Sequence, residues 1–136
     1  MKFLLDTSIC ITHLRSRSQS PLAARLNASN IDEIAICSIV RGELLAGAHH
    51  KRAPSGEMQR VHDFIRIFQS LPFDDPAADH FAVARAKLES TGGMIGANDL
   101  LIASIALANG LIVITHNRHE FSRIDGLQVQ DWQASP

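Results

Sequence analysis

Residues 2–8 read Lys2-Phe3-Leu4-Leu5-Asp6-Thr7-Ser8, a short apolar run that ends in a carboxylate and two hydroxyl side chains. An apolar run of this length is typical of a buried strand, and hydroxyl side chains begin helices by accepting hydrogen bonds from free backbone N–H groups. We expect these hydroxyls to cap a helix whose apolar positions are Ile9, Cys10 and Leu14. The segment therefore predicts a strand, an acidic residue and a helix in direct succession.

The same arrangement recurs further along the chain. Residues 34–37 form a second continuous apolar run, and Ser38 is predicted to cap the helix after it. Residues 111–114 form a third run. This third strand follows a helix over residues 100–108, which is apolar on nearly every side and is therefore expected to be buried, with Gly110 as its C-cap.

Weaker patterns complete the predicted topology. Residues 71–73 and 127–130 are predicted as short strands, and further helices are expected after Ser20 and from Asp75 onward. Continuous apolar strands that alternate with helices are typical of an α/β fold with a mostly parallel central sheet covered on both faces. At 136 residues the chain has the size of one domain, which we expect to span residues 1–136.

The composition is that of an ordinary globular protein and argues against several classes of function. Apolar residues make up 46% of the chain, and the net charge is −1, so no overall positive field favours nonspecific nucleic-acid binding. No apolar run approaches the roughly 18 to 20 residues of a membrane span, and Asp6 interrupts the first run too early for a signal peptide. We therefore expect a cytoplasmic protein in which Cys10 and Cys37 are buried free thiols. The seven histidines lack the spacing of a zinc site.

Three carboxylates are predicted to meet at one edge of the sheet. Asp6 follows the first strand, Glu43 lies in the helix after the second, and Asp99 begins the buried helix. Ligands of open parallel sheets bind beyond the carboxyl ends of the strands. Burying several carboxylates together is costly unless a cation balances them, and oxygen-only ligands favour Mg²⁺, with Mn²⁺ as a substitute. Such ions activate water for attack on a phosphodiester, which predicts a nuclease.

Each of these carboxylates also has a purely structural interpretation. Asp6 can cap a helix, and Asp99 can be an acid favoured by a helix dipole. Glu43 can pair with Arg41 or face solvent. Gly42 and Gly47 are each unfavourable inside a helix by about 1 kcal/mol relative to Ala. They predict a close approach of another backbone beside Glu43.

Four motifs follow one another along the chain: Leu4-Leu5-Asp6-Thr7-Ser8, residues 38–47 around Glu43, Asn98-Asp99-Leu100-Leu101, and Gly110 through Asn117. Together they resemble the PIN domain and, within that family, the VapC toxins of bacterial toxin–antitoxin pairs. The resemblance covers nearly the whole chain. It implies a PIN-like three-layer α/β/α sandwich and a toxic magnesium-dependent endoribonuclease that cleaves RNA, with transfer RNA favoured over ribosomal or messenger RNA. It also implies inhibition by a VapB-type antitoxin, a homodimer and a toxin–antitoxin hetero-oligomer.

The resemblance also implies the site residues. Asp6, Glu43 and Asp99 fall on the three most regular acidic positions of the family, with Asp6 and Asp99 as metal ligands. At the fourth position many relatives carry an aspartate where this chain has Asn117, and Glu120 is the acid that follows shortly after it. The predicted catalytic set is therefore Asp6, Glu43, Asp99 and Glu120, with one or two metal ions.

Other functions compete with this interpretation. A PIN-fold RNA-binding module with weak or lost catalysis is favoured by the neutral Asn117. A phosphorylated receiver domain needs a lysine near the last strands, and no lysine follows Lys87. A phosphatase of the haloacid dehalogenase type needs a second aspartate two residues after Asp6, where Ser8 stands. For a nuclease, the cations predicted to contact phosphates are Arg15, Arg17, His116, Arg118, His119 and Arg123.

Overall fold

An entirely parallel sheet of five strands forms the centre of the computed structural model, which describes residues 1–16, 19–28 and 30–132. The strand order is β3-β2-β1-β4-β5, and β1 pairs through Leu4 with Ala35 on one side and Val113 on the other. The predicted α/β fold is confirmed, and every strand pairing is parallel. The strands are β1 (Phe3–Leu5), β2 (Ile34–Cys37), β3 (Gln69–Leu71), β4 (Ile112–Ile114) and β5 (Val129–Gln130).

Seven helices in the described part of the chain surround this sheet and complete the three-layer sandwich. The long helix α5 packs along the buried helix α6, while α3 contacts α1 and α4. Both faces of β1 and β2 are buried, which explains why these strands are continuously apolar. The helices are α1 (Thr7–Arg15), α2 (Pro21–Ala28), α3 (Ser38–His49), α4 (Glu57–Ile65), α5 (Asp75–Thr91), α6 (Ala97–Asn109) and α7 (Arg118–Phe121).

The helix starts differ from the sequence expectation at two places. The carboxylate of Asp6, not a hydroxyl, caps α1 by accepting from the backbone N–H of Ile9 at 3.0 Å. The cap of α3 is Cys37, which makes no side-chain hydrogen bond to the helix, so the prediction for Ser38 is wrong. Both hydroxyl predictions fail because the cap is the extended residue just before the helix, Asp6 or Cys37, and the hydroxyls already lie in the first turn.

The two outer strands are shorter than expected or shifted. β3 ends at Leu71, so residues 72 and 73 lie outside the strand, in line with the missing N–H of Pro72. β5 covers only Val129–Gln130 of the predicted residues 127–130. Within the described residues no helix is long and apolar enough to cross a bilayer. Cys10 and Cys37 are buried and free, as predicted.

The glycines of α3 do not lie against another part of this chain. A Cβ built on Gly42 or Gly47 meets no heavy atom within 4 Å, so the predicted close approach is wrong. We therefore expect Gly42→Ala to raise the free energy of unfolding by about 0.5–1 kcal/mol, measured by urea denaturation, because alanine loses less backbone entropy in a helix. The opposite control is Gly110→Ala, which should destabilise because Gly110 has a φ of 65°. Equal effects of the two substitutions would contradict this explanation.

Candidate active site

The site lies at the carboxyl edge of the parallel sheet. Asp6 directly follows β1, Thr115 directly follows β4, and α3 starts where β2 ends and carries Glu43 one and a half turns later. The backbone N–H of Asp6 donates to the carbonyl of Ile114 at 3.0 Å, which extends the β1–β4 pairing to the edge. Parallel pairing therefore brings the ends of three strands together, as the sequence predicted.

Asp6 is the most buried carboxylate of the site, with 1% of its surface exposed. Burial raises its pKa, and hydrogen bonds from Thr115, Ile9 and Ser8 partly oppose that rise. The Ser8 hydroxyl lies 2.8 and 2.9 Å from the two carboxylate oxygens, and His116 adds a nearby positive charge when protonated. Asp6 therefore caps α1 and also faces the site, two roles that the sequence analysis gave as alternatives.

Hydrogen bonds of two hydroxyl groups connect the segment after β4 to the segment after β1. The Thr115 hydroxyl donates to Asp6 and accepts from the backbone N–H of Asn117 at 2.8 Å. The backbone N–H of His116 donates to the Ser8 hydroxyl at 3.4 Å. Thr115 is fully buried, so this bridge is shielded from water. The bridge fixes the direction in which α7 leaves the sheet.

Glu43 is held by the first residue of α1. The Thr7 hydroxyl donates to Glu43 Oε1 at 2.7 Å. Arg41 is exposed and, in the described residues, forms no ion pair with Glu43, so the predicted pairing of these two residues is wrong. Thr7 was not predicted as a site residue, because a hydroxyl beside a helix start ordinarily indicates capping.

For the Mg²⁺-dependent ribonuclease that the sequence resemblance implies, we expect Thr7→Val to slow RNA cleavage by about tenfold and to raise the Mg²⁺ concentration needed for half-maximal rate. Valine has nearly the shape of threonine but cannot donate the hydrogen bond that orients the Glu43 carboxylate, and such a bond to a charged group contributes about 1.5–3 kcal/mol. Thr7→Ser keeps the hydroxyl and should stay near wild type in both measurements. Equal Mg²⁺ titrations for the two variants would show that the hydroxyl has no such role.

Asp99 and Glu120 form a coupled pair across the site. Glu120 Oε1 accepts from the backbone N–H of Gly96 at 2.6 Å, and this bond, followed by a hydrogen bond with Asp99, lowers the pKa of Glu120. Burial raises the pKa of Asp99 to about 7, together with the hydrogen bond to Glu120 and the negative charges of Glu120, Asp6 and Glu43. Asp99 therefore takes up a proton near neutral pH, well above the pH at which an ordinary aspartate does. The pKa of Asp99 therefore depends on the charges of all three other acids.

Gly96 shapes the space between these two acids. A Cβ at this position would lie 3.5 Å from Glu120 Oε1 and 3.7 Å from Asp99 Oδ2, so the missing side chain leaves room beside both oxygens. Residues 91–96 contain three glycines, a pattern that indicates a loop and gives Gly96 no role at the site. Only the pairing of its N–H with a residue 24 positions away reveals one.

The fourth corner is occupied by Glu120 rather than Asn117. The side chain of Asn117 is exposed and has no hydrogen-bond partner among the described residues, whereas Glu120 contacts Gly96 and Asp99. The structure thus brings the four predicted acids to one edge, and their catalytic roles stay predictions. Of the predicted phosphate-contacting cations, Arg118, His119 and Arg123 lie on or beside α7, while Arg17 lies outside the described residues.

The donor set fits a hydrated hard cation better than a closed cage. Within residues 1–16, 19–28 and 30–132, no three His, Cys, Asp or Glu side chains form a ready-made metal-binding group. None of the four acids makes an ion pair with a lysine or arginine in that part of the chain. The charges of Arg123 on Glu120 and of His116 on Asp6 oppose the repulsion among the acids without a direct ion pair to a lysine or arginine. Mg²⁺ prefers carboxylate oxygens and keeps several of its waters, so it can bind such a group through one or two direct ligands.

Comparisons with known proteins place the chain in a consistent group. The sequence matches the PIN domain over residues 3–127. It is 36% identical to the tRNA(fMet)-specific endonuclease VapC of Salmonella typhimurium over 97% of this chain and 98% of the relative. It is 33% identical to ribonuclease VapC2 of Haemophilus influenzae, with the same coverage of both chains.

Solved structures give the same grouping. A crystal structure of DNA-bound VapBC from Salmonella typhimurium matches with a TM-score of 0.90 at 36% identity, covering 97% of this chain and 98% of that one. VapBC2 from Rickettsia felis, bound to a fragment of its promoter, matches with a TM-score of 0.86 at 31% identity, covering 97% and 99% of the two chains. The likeness therefore extends over nearly the full length in both sequence and fold.

Proposed function

Since this chain belongs to the PIN-domain family and, within it, to the VapC ribonucleases, we propose that it is the toxic endoribonuclease of a toxin–antitoxin pair and depends on Mg²⁺. The observation that carries the proposal is the convergence of Asp6, Glu43, Asp99 and Glu120 on one sheet edge, where none of them makes an ion pair with a lysine or arginine of the described residues. Such a group is unfavourable unless a cation joins it. A nuclease metal site accounts for that cost.

Asp6 and Asp99 are the residues we propose as direct ligands, with Glu43 and Glu120 supporting the ion directly or through water. When bound, the ion supplies activation of a water and stabilisation of charge on the phosphodiester oxygens. The protein supplies orientation: Ser8 and Thr115 fix the Asp6 carboxylate. Thr7 and the Gly96 N–H do the same for Glu43 and Glu120, so the acids are held in place before an ion arrives.

We propose transfer RNA as the substrate, because the Salmonella relative is named as a tRNA(fMet)-specific endonuclease. The test is incubation of the purified protein with end-labelled transfer RNA, with Mg²⁺ or with EDTA, followed by sequencing of the cleaved ends. Cleavage at one position that requires Mg²⁺ is the expected result. Cleavage that persists in EDTA would contradict the metal proposal, and failure to cut any transfer RNA would contradict the substrate.

The inhibitor we propose is a VapB-type antitoxin, by analogy with the VapBC complexes of Salmonella and Rickettsia. A groove of about 450 Å³ between α1, α3 and α4 has apolar walls at Ile11 and Leu14 and includes Glu43 among its lining residues. A partner segment in this groove would lie beside the acidic site. Co-expression with the adjacent small gene should relieve growth arrest, and persistent arrest would argue against that gene as the antitoxin.

The second candidate is a PIN-fold RNA-binding module with weak or lost catalysis. The neutral and exposed Asn117 at the fourth corner favours it, because one negative charge is missing where many relatives carry an aspartate. Binding of transfer RNA without cleavage at any Mg²⁺ or Mn²⁺ concentration would support this candidate over the nuclease.

A further inference from the structure

A second depression lies on the other side of α7 from the acids. This depression, which we call the α7 pocket, has a volume of about 460 Å³. Residues 118 and 122 share one side of a helical turn, whereas residue 120 lies nearly opposite, so Glu120 faces Asp99 while its neighbours line the pocket. The pocket and the acids therefore lie on different sides of this short helix. It is lined by Arg118, His119, Ser122, Leu127 and Val129.

The pocket combines a free cation with an apolar wall. Arg118 is exposed and forms no ion pair or hydrogen bond through its guanidinium in the described residues. The imidazole of His119 is exposed and lies 3.4 Å from Arg123, whose guanidinium also donates to the Met94 carbonyl at 3.1 Å. Among the residues that the structure describes, no carboxylate lines the pocket. A ligand with a negative group near Arg118 fits this charge pattern.

The remaining lining residues suit a flat ring. Leu127 and Val129 are half-buried and give an apolar wall, and His119 offers a planar side chain on which a ring can stack. A phosphate and a base together make one nucleotide, which is the chemical unit that combines both features.

We propose that the α7 pocket binds one nucleotide of single-stranded RNA next to the scissile phosphate, with Arg118 pairing to a phosphate and His119 stacking on the base. This inference rests on the proposed ribonuclease function and adds a subsite to it. Stacking and phosphate contact tolerate any base, so the pocket positions the strand and leaves sequence choice to other contacts. A protein segment is the competing occupant, and the test separates the two.

The experiment measures binding of the uncut RNA. Asp99→Asn protein, which we expect to bind without cutting, is titrated with a fluorescent single-stranded oligoribonucleotide that the wild type cleaves, at several salt concentrations. Adding Arg118→Ala should weaken binding about tenfold and lower the slope of log K against log salt by about 0.7, the value for one phosphate contact on a single strand. Adding His119→Ala should weaken binding about fivefold or more with little change in slope.

Arg66→Ala is the matched control, because Arg66 is an exposed arginine at the opposite edge of the sheet, just before β3. It removes the same charge and should leave affinity within twofold. If Arg118→Ala and His119→Ala behave like this control while the wild type still cleaves, the subsite is wrong and the proposed function stands. Weaker antitoxin binding with unchanged RNA affinity would likewise overturn the nucleotide assignment. A wild type that neither binds nor cuts RNA would overturn the proposed function itself.

Discussion

Asp99→Asn should reduce the rate of RNA cleavage by about a hundredfold to a thousandfold or more. Asp99 hydrogen-bonds to Glu120 and senses the charges of Asp6 and Glu43, so it stands at the centre of the acidic group. Asparagine keeps the size of the side chain but removes the negative charge that balances a divalent ion. The measurement is a single-turnover cleavage assay of labelled transfer RNA at saturating Mg²⁺.

The control for this substitution is Asp79→Asn. Asp79 is exposed on α5 and makes no hydrogen bond or ion pair in the described chain, so the same chemical change should leave cleavage near wild type. Asp6→Asn should be as damaging as Asp99→Asn, while Glu120→Gln should reduce the rate less. Unchanged cleavage in both aspartate variants would show that the acidic group is not the catalytic site.

The central strands could be predicted from the sequence because strands that are buried on both faces consist of apolar residues. Residues 34–37 were predicted and observed as β2, since a strand covered on both faces must be apolar throughout. β3 was placed two residues too late, because Gln69 and Ser70 are exposed polar residues that carry no apolar signal. Runs of apolar residues therefore identify the interior strands but do not locate the strands at the edges of the sheet.

The acids of the site were predictable for a related reason, whereas the groups that hold them were not. Asp6, Glu43 and Asp99 are carboxylates in segments that are otherwise apolar. The sequence therefore predicted that these three residues lie together at one edge of the sheet. The family resemblance then added Glu120, and the structure places it beside Asp99. The Thr7–Glu43 bond joins residues 36 positions apart, so only the folded chain shows it.

The protein without metal should lose stability as pH rises from about 5 to 7. The folded-state pKa of Asp99 is about 7 against an ordinary value of 3.8, so the folded state binds more protons than the unfolded state between these values. Stability that depends on this proton is present at low pH and is lost as pH rises through 7. Because Asp99 is only half-buried, solvent screening reduces the effect to roughly 1–2 kcal/mol.

The measurement is urea unfolding in EDTA from pH 5 to pH 8, for the wild type and for Asp99→Asn. The difference between the two proteins isolates Asp99, because the lowered pKa of His13, which acts in the opposite direction, is common to both. The lowered pKa of Glu120 affects stability only below about pH 5 and adds a constant in this range. Asp99→Asn should therefore match the wild type at pH 5 and exceed it at pH 8.

Mg²⁺ should remove this deficit in the wild type at pH 8 and have a smaller effect on Asp99→Asn, with NaCl at equal ionic strength as the control. A proton at low pH and a divalent ion at high pH relieve the same repulsion among the four acids, so the two must compete. Cleavage and stability then respond to Asp99→Asn in opposite directions, since the charge that destabilises the metal-free fold is the charge that binds the ion. A difference between wild type and variant that stays flat from pH 5 to pH 8 would mean that Asp99 does not sense the other acids, and the metal proposal would lose its electrostatic basis.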